Sequence, residues 1–307
     1  MANKKNKKNE NEDKEKGFSK MSIVWYPGHM HKTKVQMAND LKLIDIALEI
    51  TDARIPFSSR NPDIESLVKN KKKIIILNKE DLADNNVTKE WIEYYKKNGI
   101  TAIAIQATRK NDRQVVINAI KNECRDLTLS YAEKGRTGRK IKVMVFGIPN
   151  VGKSTFINML VNKNSAKVEN RPGVTTKKQW ISLENDIELM DTPGMLWPKF
   201  QSEGVSLNLA FTNSIGQHAI DNEEVAFHLL KFLYVNYKDR LAERYEVSTN
   251  FKNVDNETIL LVREQIARKK GCLLSGNRVD ETKVSNMILN DFQSGKLGRI
   301  SIENPKK

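Results

Sequence analysis

The run KIKVMVFGIPNVGKSTFINML, Lys140 to Leu160, constrains this chain more than any other stretch. An apolar, β-branched segment enters a turn with the spacing Gly147-x4-Gly152-Lys153-Ser154, and a helix-like pattern begins at Lys153. The strand, loop and helix setting is what gives such spacing meaning. Gly147 and Gly152 let the backbone turn its N–H groups inward, and the helix N-terminus adds partial positive charge, so the loop can wrap a phosphate chain. Lys153 is then expected between the β- and γ-phosphates, with the Ser154 hydroxyl offered to magnesium. Asn150, Val151, Gly152 and Thr155, which continues the helix, complete the expected phosphate contacts.

A second signal lies upstream in KIIILNKED, where a buried strand over 73–77 runs into Asn78-Lys79-Glu80-Asp81. Ligands of open parallel sheets bind at the carboxyl ends of strands, which is where this tetrapeptide falls. Asp81 can accept two hydrogen bonds from the ring N–H and exocyclic amine of guanine. Adenine lacks that pattern, and leaving the carboxylate unpaired costs several kcal/mol, which gives discrimination. Lys79 is expected over the base plane, and Asn78 is expected to tie its loop to the phosphate loop. Alone, the tetrapeptide reads equally as a polar turn; beside a phosphate loop it points to guanine. After an alternating strand over 100–105, Gln106-Ala107-Thr108 takes the place of a second base-contacting loop, with the usual Ser-Ala pair weakened.

Two further loops follow the phosphate loop. The polar stretch 162–178 contains Arg171-Pro172-Gly173-Val174-Thr175-Thr176, in which Thr175, with Thr176 as the alternative, is the expected ligand of magnesium and the γ-phosphate. Strands over 179–183 and 187–190 then deliver Asp191-Thr192-Pro193-Gly194. Asp191 is expected to hold magnesium through water and the Gly194 N–H to bond the γ-phosphate, so that its position reports whether that phosphate is present.

These motifs spell a guanosine triphosphatase, but in rotated order. The base-reading loops at 78–81 and 106–108 precede the phosphate loop, so the sequence predicts an α/β fold built on a circularly permuted P-loop GTPase domain, a mostly parallel sheet flanked by helices. Helices are expected near 32–43, 61–69, 88–97 and 111–127, with a strand over 44–51, a glycine-containing basic connector over 133–142, and a connector over 126–139 that joins the last helix of the base-reading part to the phosphate-loop strand. From about Val205 the β-branched strands stop, and helical periodicities near 206–213, 218–235, 257–270 and 280–293 predict a small all-α domain. The expected organisation is a disordered basic tail over 1–20, the GTPase domain over 21–205 and a helical RNA- or ribosome-binding domain over 206–307.

Composition narrows the partner. The chain has 307 residues, 39% of them hydrophobic, and a net charge of +14. Its first 20 residues hold seven lysines against four acids, and residues 206–307 hold fifteen basic against thirteen acidic side chains, so most of the excess lies in 21–205. A basic nucleotide domain suits a polyanion, and nucleic acid is the commonest one, because neutralising phosphates releases counterions. A solvated, solubilising surface is the alternative. Cys124 and Cys272 are far apart, without metal-ligand spacing, and reduced thiols are expected. Neither a bilayer-spanning apolar run nor a secretion signal is present, so a cytoplasmic protein without a membrane partner is expected.

The rotated order, together with WYPGHM (25–30), DARIP (52–56), GIPNVGKS, RPGVTT and DTPGMLWPKF (191–200), closely resembles the YlqF/RbgA family of ribosome biogenesis GTPases. The resemblance spans residues 23 to about 300 in layout and is most specific up to 200. It implies binding of GTP and GDP, and GTP hydrolysis coupled to a late step of large (50S) subunit assembly. The C-terminal helices are then expected on ribosomal RNA, with magnesium as cofactor and a monomer as the working form. The residue after Asp-x-x-Gly is Met195, which cannot orient water as a glutamine does. His29 of the PGHM motif is the first candidate for that task, since a neutral imidazole can orient water near pH 7; a turn-stabilising or RNA-facing histidine and a group supplied by the ribosome are the alternatives. GTPases with the GxPNVGKS form often use Asn150's counterpart to coordinate potassium, against which stands simple loop hydrogen bonding. A nucleotide-gated RNA-binding module with little intrinsic hydrolysis is the competing reading of the whole chain.

Overall fold

A computed structural model describes residues 38–136, 138–161, 180–191, 202–215, 221–251 and 254–305. Its centre is a six-stranded sheet of β1 (Ile46–Asp52), β2 (Lys72–Asn78), β3 (Thr101–Ala104), β4 (Ile141–Gly147), β5 (Trp180–Glu184) and β6 (Ile187–Asp191). The spatial order is β3-β2-β1-β4-β6-β5, with every neighbouring pair parallel except β5 and β6. Every residue of β1 is buried, as expected of a central parallel strand covered on both faces.

Alternation along the strands explains the two layers. Ile46, Leu48 and Ile50 of β1, Ile74 and Ile76 of β2, and Val143 and Val145 of β4 share one core with Val116, Ile117 and Ile120 of α3 (Asp112–Glu123) and Phe156, Ile157 and Leu160 of α5 (Lys153–Leu160). On the opposite face, Ala47, Met144, Phe146 and Met190 meet Ile64 and Val68 of α1 (Pro62–Val68). Ile75 and Leu77 meet Trp91 and Tyr95 of α2 (Asn85–Lys97). Each such side chain taken from water contributes about 1.5–3 kcal/mol, so the sheet is fixed by its two apolar faces.

The rotated order of the sequence has a direct counterpart in space. Starting from the phosphate-loop strand β4, the chain builds β5 and β6 on one side, whereas β1, β2 and β3 on the other side were laid down earlier. The last and first of the parallel strands in chain order, β6 and β1, thus flank β4 on either side of it.

Several boundaries differ from expectation for local reasons. The helix expected from Thr88 begins at Asn85, because Asp84 caps it by accepting from the Asn86 and Val87 N–H groups at 2.8 and 3.2 Å. The single helix expected over 111–127 is two, α3 and α4 (Arg125–Glu133), which breaks at buried Cys124. At this break the Glu123 carbonyl accepts from Lys72 Nζ of β2 at 2.6 Å. Most of the expected connector over 126–139 is accordingly helical. Both cysteines are free thiols, buried.

The helical part contains α6 (Glu203–Phe211), α7 (Asn222–Asn236), α8 (Lys238–Tyr245), α9 (Asn256–Lys269) and α10 (Glu281–Gln293). Helix α8 was not expected; only Leu241 and Tyr245 are buried along it, a stripe too narrow to stand out in the sequence. A two-residue pairing of β7 (Leu273–Leu274) with β8 (Arg278–Val279) closes over Gly276 and Asn277 in left-handed conformation. Residues 205 and 206, between which the sequence reading divides the chain, both lie in α6. That helix serves both cores: Val205 and Leu209 pack with the sheet, and Ala210 and Phe211 pack with α7, α9 and α10.

The C-terminal segment fastens the two parts together. The Ile300 and Ile302 N–H groups donate to the Leu82 and Arg54 carbonyls, both at 2.9 Å, and the Trp91 indole donates to the Glu303 carbonyl at 3.0 Å. The Glu303 carboxylate accepts from the backbone of Phe57 and Ser58, the Ser58 hydroxyl and the Asn208 amide. Tyr237 holds the same segment from the helical side through both the N–H and the carbonyl of Ser301.

Candidate functional site

The carboxyl ends of β1, β2, β3, β4 and β6 lie on one edge of the sheet, because all five strands are parallel. The expected phosphate and base loops therefore meet, although about 70 residues of chain separate Asn78 from Gly147. Beyond β4 the backbone turns through Ile148 to Val151 and starts α5 at Lys153. Gly152 has φ +90°, and a Cβ there would lie 2.4 Å from the Asn78 amide nitrogen. Gly147 faces Ile50 across the β1–β4 pairing, where a Cβ would come within 2.8 Å of the Ile50 carbonyl oxygen. Both glycines of the motif are thus required by the close packing of the loop as well as by its shape.

Asn78 is the joint between the loops. Its amide nitrogen donates to the Val151 carbonyl at 2.8 Å, while its amide oxygen accepts from the Ala107 N–H at 3.0 Å. The side chain is 2% exposed, so these are buried bonds whose loss leaves polar groups unpaired, at about 1–3 kcal/mol each. Lys79 adds a second tie, from Nζ to the Asn150 carbonyl at 2.7 Å. Both Lys79 and Asn150 hold left-handed backbone conformations, with φ 60° and 62°. Such conformations cost a non-glycine residue about 1–2 kcal/mol and concentrate at functional sites.

The second base loop is organised by Asp112, the first residue of α3. Its carboxylate accepts from the Gln106 N–H at 2.7 Å and from Arg109 Nε at 2.7 Å. Ala107 is buried and Thr108 exposed, so the backbone of this loop is held while its tip stays open. Asp81 is half-buried in the short turn Glu80–Leu82 after Lys79.

For magnesium, the one proposed side-chain donor that is described, the Ser154 hydroxyl, is an oxygen that suits a hard cation taking its other oxygens from water and phosphate. The Ser154 side chain is exposed in the first turn of α5, and the backbone of Asp191 ends β6 paired with Val145 of β4, two residues before Gly147. The Asn150 amide nitrogen donates to the Asn213 carbonyl, leaving its oxygen as the atom able to face a cation. His29, Thr175, Thr176, Gly194 and Met195 lie outside the described residues.

Sequence reasoning gave no individual role to Asp52 and Arg54, although both stand in the DARIP motif. Asp52 is fully buried, accepts from Arg54 Nε and Nη2 at 2.9 and 2.8 Å, and lies 3.1 Å from Lys79 Nζ. Burial pushes its carboxyl upward, but the Arg54 and Lys79 charges prevail and hold it well below the usual carboxylate range. The link of Asn150 to Asn213 was equally invisible, because nothing in residues 205–215 signals proximity to the phosphate loop.

Comparison with known proteins agrees with this geometry. Residues 142–270 match the family described as 50S ribosome-binding GTPase. The ribosome biogenesis GTPase A of Bacillus cereus is 42% identical over 287 residues, covering 94% of this chain and 95% of that protein. The chain belongs to the ribosome biogenesis GTPase A family. Another member, from Thermotoga maritima, is 32% identical over 92% of this chain and 95% of its own. The crystal structure of GNP-bound YlqF from T. maritima superposes with a TM-score of 0.61 at 29% identity, covering 90% of this chain and 99% of that one. A ribosome biogenesis GTPase A fold thus underlies the rotated order, and among the described residues no helix is long and apolar enough to cross a membrane.

Proposed function

We propose that this protein binds GTP and GDP between the Asn78–Asp81 turn and the phosphate loop, hydrolyses GTP, and uses that cycle in a late step of large ribosomal subunit assembly. The observation that carries the nucleotide reading is the pair of hydrogen bonds made by the Asn78 side chain, donated to the Val151 carbonyl in the phosphate loop and accepted from the Ala107 N–H in the second base loop. Such a lock holds the base loop and the phosphate loop in one register, as reading base and phosphates together requires. GTPase membership follows from the family; the large subunit as partner is supported by the description of the matching family, 50S ribosome-binding GTPase, and by the chain's net charge of +14.

In this reading Asp81 accepts from guanine, Gln106, Ala107 and Thr108 line the base, and Asn150 to Thr155 wrap the phosphates with Lys153 at their β and γ positions. Magnesium would be held by Ser154, Thr175 and, through water, Asp191, and it would neutralise charge on the phosphate oxygens. Asn150 is the proposed potassium ligand. His29 is the proposed group that orients the attacking water, and Gly194 the proposed sensor of the γ-phosphate. The division into a tail over 1–20, a GTPase domain over 21–205 and a helical ribosome-contacting domain over 206–307 belongs to the same proposal, as do a cytoplasmic setting and a monomeric form.

Fluorescent GDP titrated onto the full chain, with GTP, ATP and ADP as competitors, tests the nucleotide part. Competition by GTP but not by the adenine nucleotides supports it, and equal competition by both would overturn it. Sedimentation with purified large subunits in each nucleotide state tests the partner.

A further inference from the structure

The Asp52-Ala53-Arg54-Ile55-Pro56 turn follows β1, between the phosphate-loop strand and the base-reading strand, and the roles assigned above leave it without a task. Its charges are arranged in series. Asp52 Oδ1 accepts from the Arg54 N–H at 3.0 Å and from Arg54 Nε at 2.9 Å; Oδ2 accepts from Arg54 Nη2 at 2.8 Å. That bidentate pair already neutralises the carboxylate. Yet Oδ2 also faces Lys79 Nζ at 3.1 Å, and the same ammonium donates to the Asn150 carbonyl at 2.7 Å.

Arg54 is fixed from outside the nucleotide domain. It is 1% exposed, its Nη1 donates to the Phe292 carbonyl of α10 at 3.3 Å, and its guanidinium lies 4.9 Å from the Phe292 ring centre. Its own carbonyl accepts from Ile302 and Glu303 of the C-terminal segment. Asp52 consequently has no freedom to follow Lys79; Lys79 must come to it.

We propose that Asp52 is a positioning residue for Lys79, pinning the ammonium at the phosphate loop so that the methylene stem forms a fixed shelf for the guanine base. A lysine left to itself keeps the freedom of four rotatable side-chain bonds. The left-handed backbone at Lys79 aims the side chain, and Asp52 and the Asn150 carbonyl trap its end from two sides. Arg54, packed against α10, holds Asp52 in place for that task. This inference rests on the guanine-site reading above.

The test is a double-mutant cycle in the full chain, with fluorescent GDP as probe, on the wild type, Asp52→Asn, Lys79→Met and the double variant. Lys79→Met is expected to weaken GDP binding by about tenfold, and Asp52→Asn by about fivefold when Lys79 is present but by less than about twofold when it is not. Equal losses in both backgrounds would overturn the proposal, because a merely structural Asp52 would act independently of Lys79. Should Asp52→Asn not fold, Asp52→Ser replaces it, and failure of both to fold assigns Asp52 to stability and overturns the proposal. If the wild type itself fails to bind GDP, it is the guanine-site reading that falls; GDP binding with additive losses removes this inference alone.

Discussion

The amide of Asn78 sits 2.8 Å from the Val151 carbonyl and occupies the space that a side chain at Gly152 would need. One residue of the base loop therefore closes the phosphate loop and depends on the glycine beneath it. Gly152→Ala should break both. It places a Cβ where φ is +90° and within 2.4 Å of Asn78 Nδ2, so either the loop opens or Asn78 leaves. The expected result is a loss of about 2 kcal/mol of stability and of roughly 100-fold in GDP affinity, read by thermal unfolding and fluorescent GDP titration. Affinity within about twofold of wild type would mean that the loop adapts.

Asp81 is the specificity residue of this account. Asp81→Asn exchanges one carboxylate acceptor for a donor, so guanine loses a hydrogen bond to its amine, while xanthine, which carries an oxygen there, gains one. GTP binding should fall by on the order of 100-fold and xanthosine triphosphate should overtake it. Unchanged preference in a competition assay would remove Asp81 from the base site.

Glu49 gives the fold a pH dependence of predictable sign. Its carboxylate is 1% exposed on β1, one oxygen accepts from Arg60 Nε at 3.2 Å, and the other has no partner among the described residues. Burial outweighs the attraction of Arg60 and Lys73 and raises its pKa. Because folding raises this value, the contribution of Glu49 to stability is full below the ordinary carboxylate range and is lost as pH rises through the raised one. Glu49→Gln keeps the shape and removes the titration, and Arg60 retains Glu65. Urea unfolding from acid to neutral pH should show the wild type losing stability relative to the variant. A gap that stays constant with pH would contradict the assignment.

His29→Ala separates water orientation from binding. If the imidazole orients the attacking water, GTP turnover should fall by about 100-fold, within the usual range for a proton-transfer or water-orienting group, with GTP affinity nearly unchanged. Parallel loss of both in rate and titration measurements would assign His29 to the fold or to nucleotide binding.

The sheet was legible because its strands carry their own signal. IALEI, KIIIL and KVMVF are short β-branched runs ending at turn residues, and their side chains divide between two buried faces, as the cores around Ile74 and Ile75 make plain. The rotated topology was legible from the order of two motifs alone, since Asn78-Lys79-Glu80-Asp81 and Gly147-x4-Gly152-Lys153-Ser154 each demand the carboxyl end of a parallel strand. What stayed hidden depends on contacts between distant segments. Nothing local announces that Lys72 will bond the Glu123 carbonyl where α3 ends, or that α8 will form on the strength of two buried residues. Nothing local marks Arg54 as buried; α10 and residues 300–303 close over it from far along the chain. Asp52 stands in the DARIP motif with no local sign of a task, because its partner Lys79 lies 27 residues on and reaches it only through the pairing of β1 with β2.

The central claim, a GTPase whose turnover belongs to large-subunit assembly, meets its most direct test in one assay. GTP hydrolysis by the full chain is measured at constant magnesium, alone and with purified large ribosomal subunits, small subunits serving as the control. Slow hydrolysis by the protein alone is expected, stimulated at least about tenfold by large subunits and not by small ones. Turnover indifferent to large subunits would contradict it.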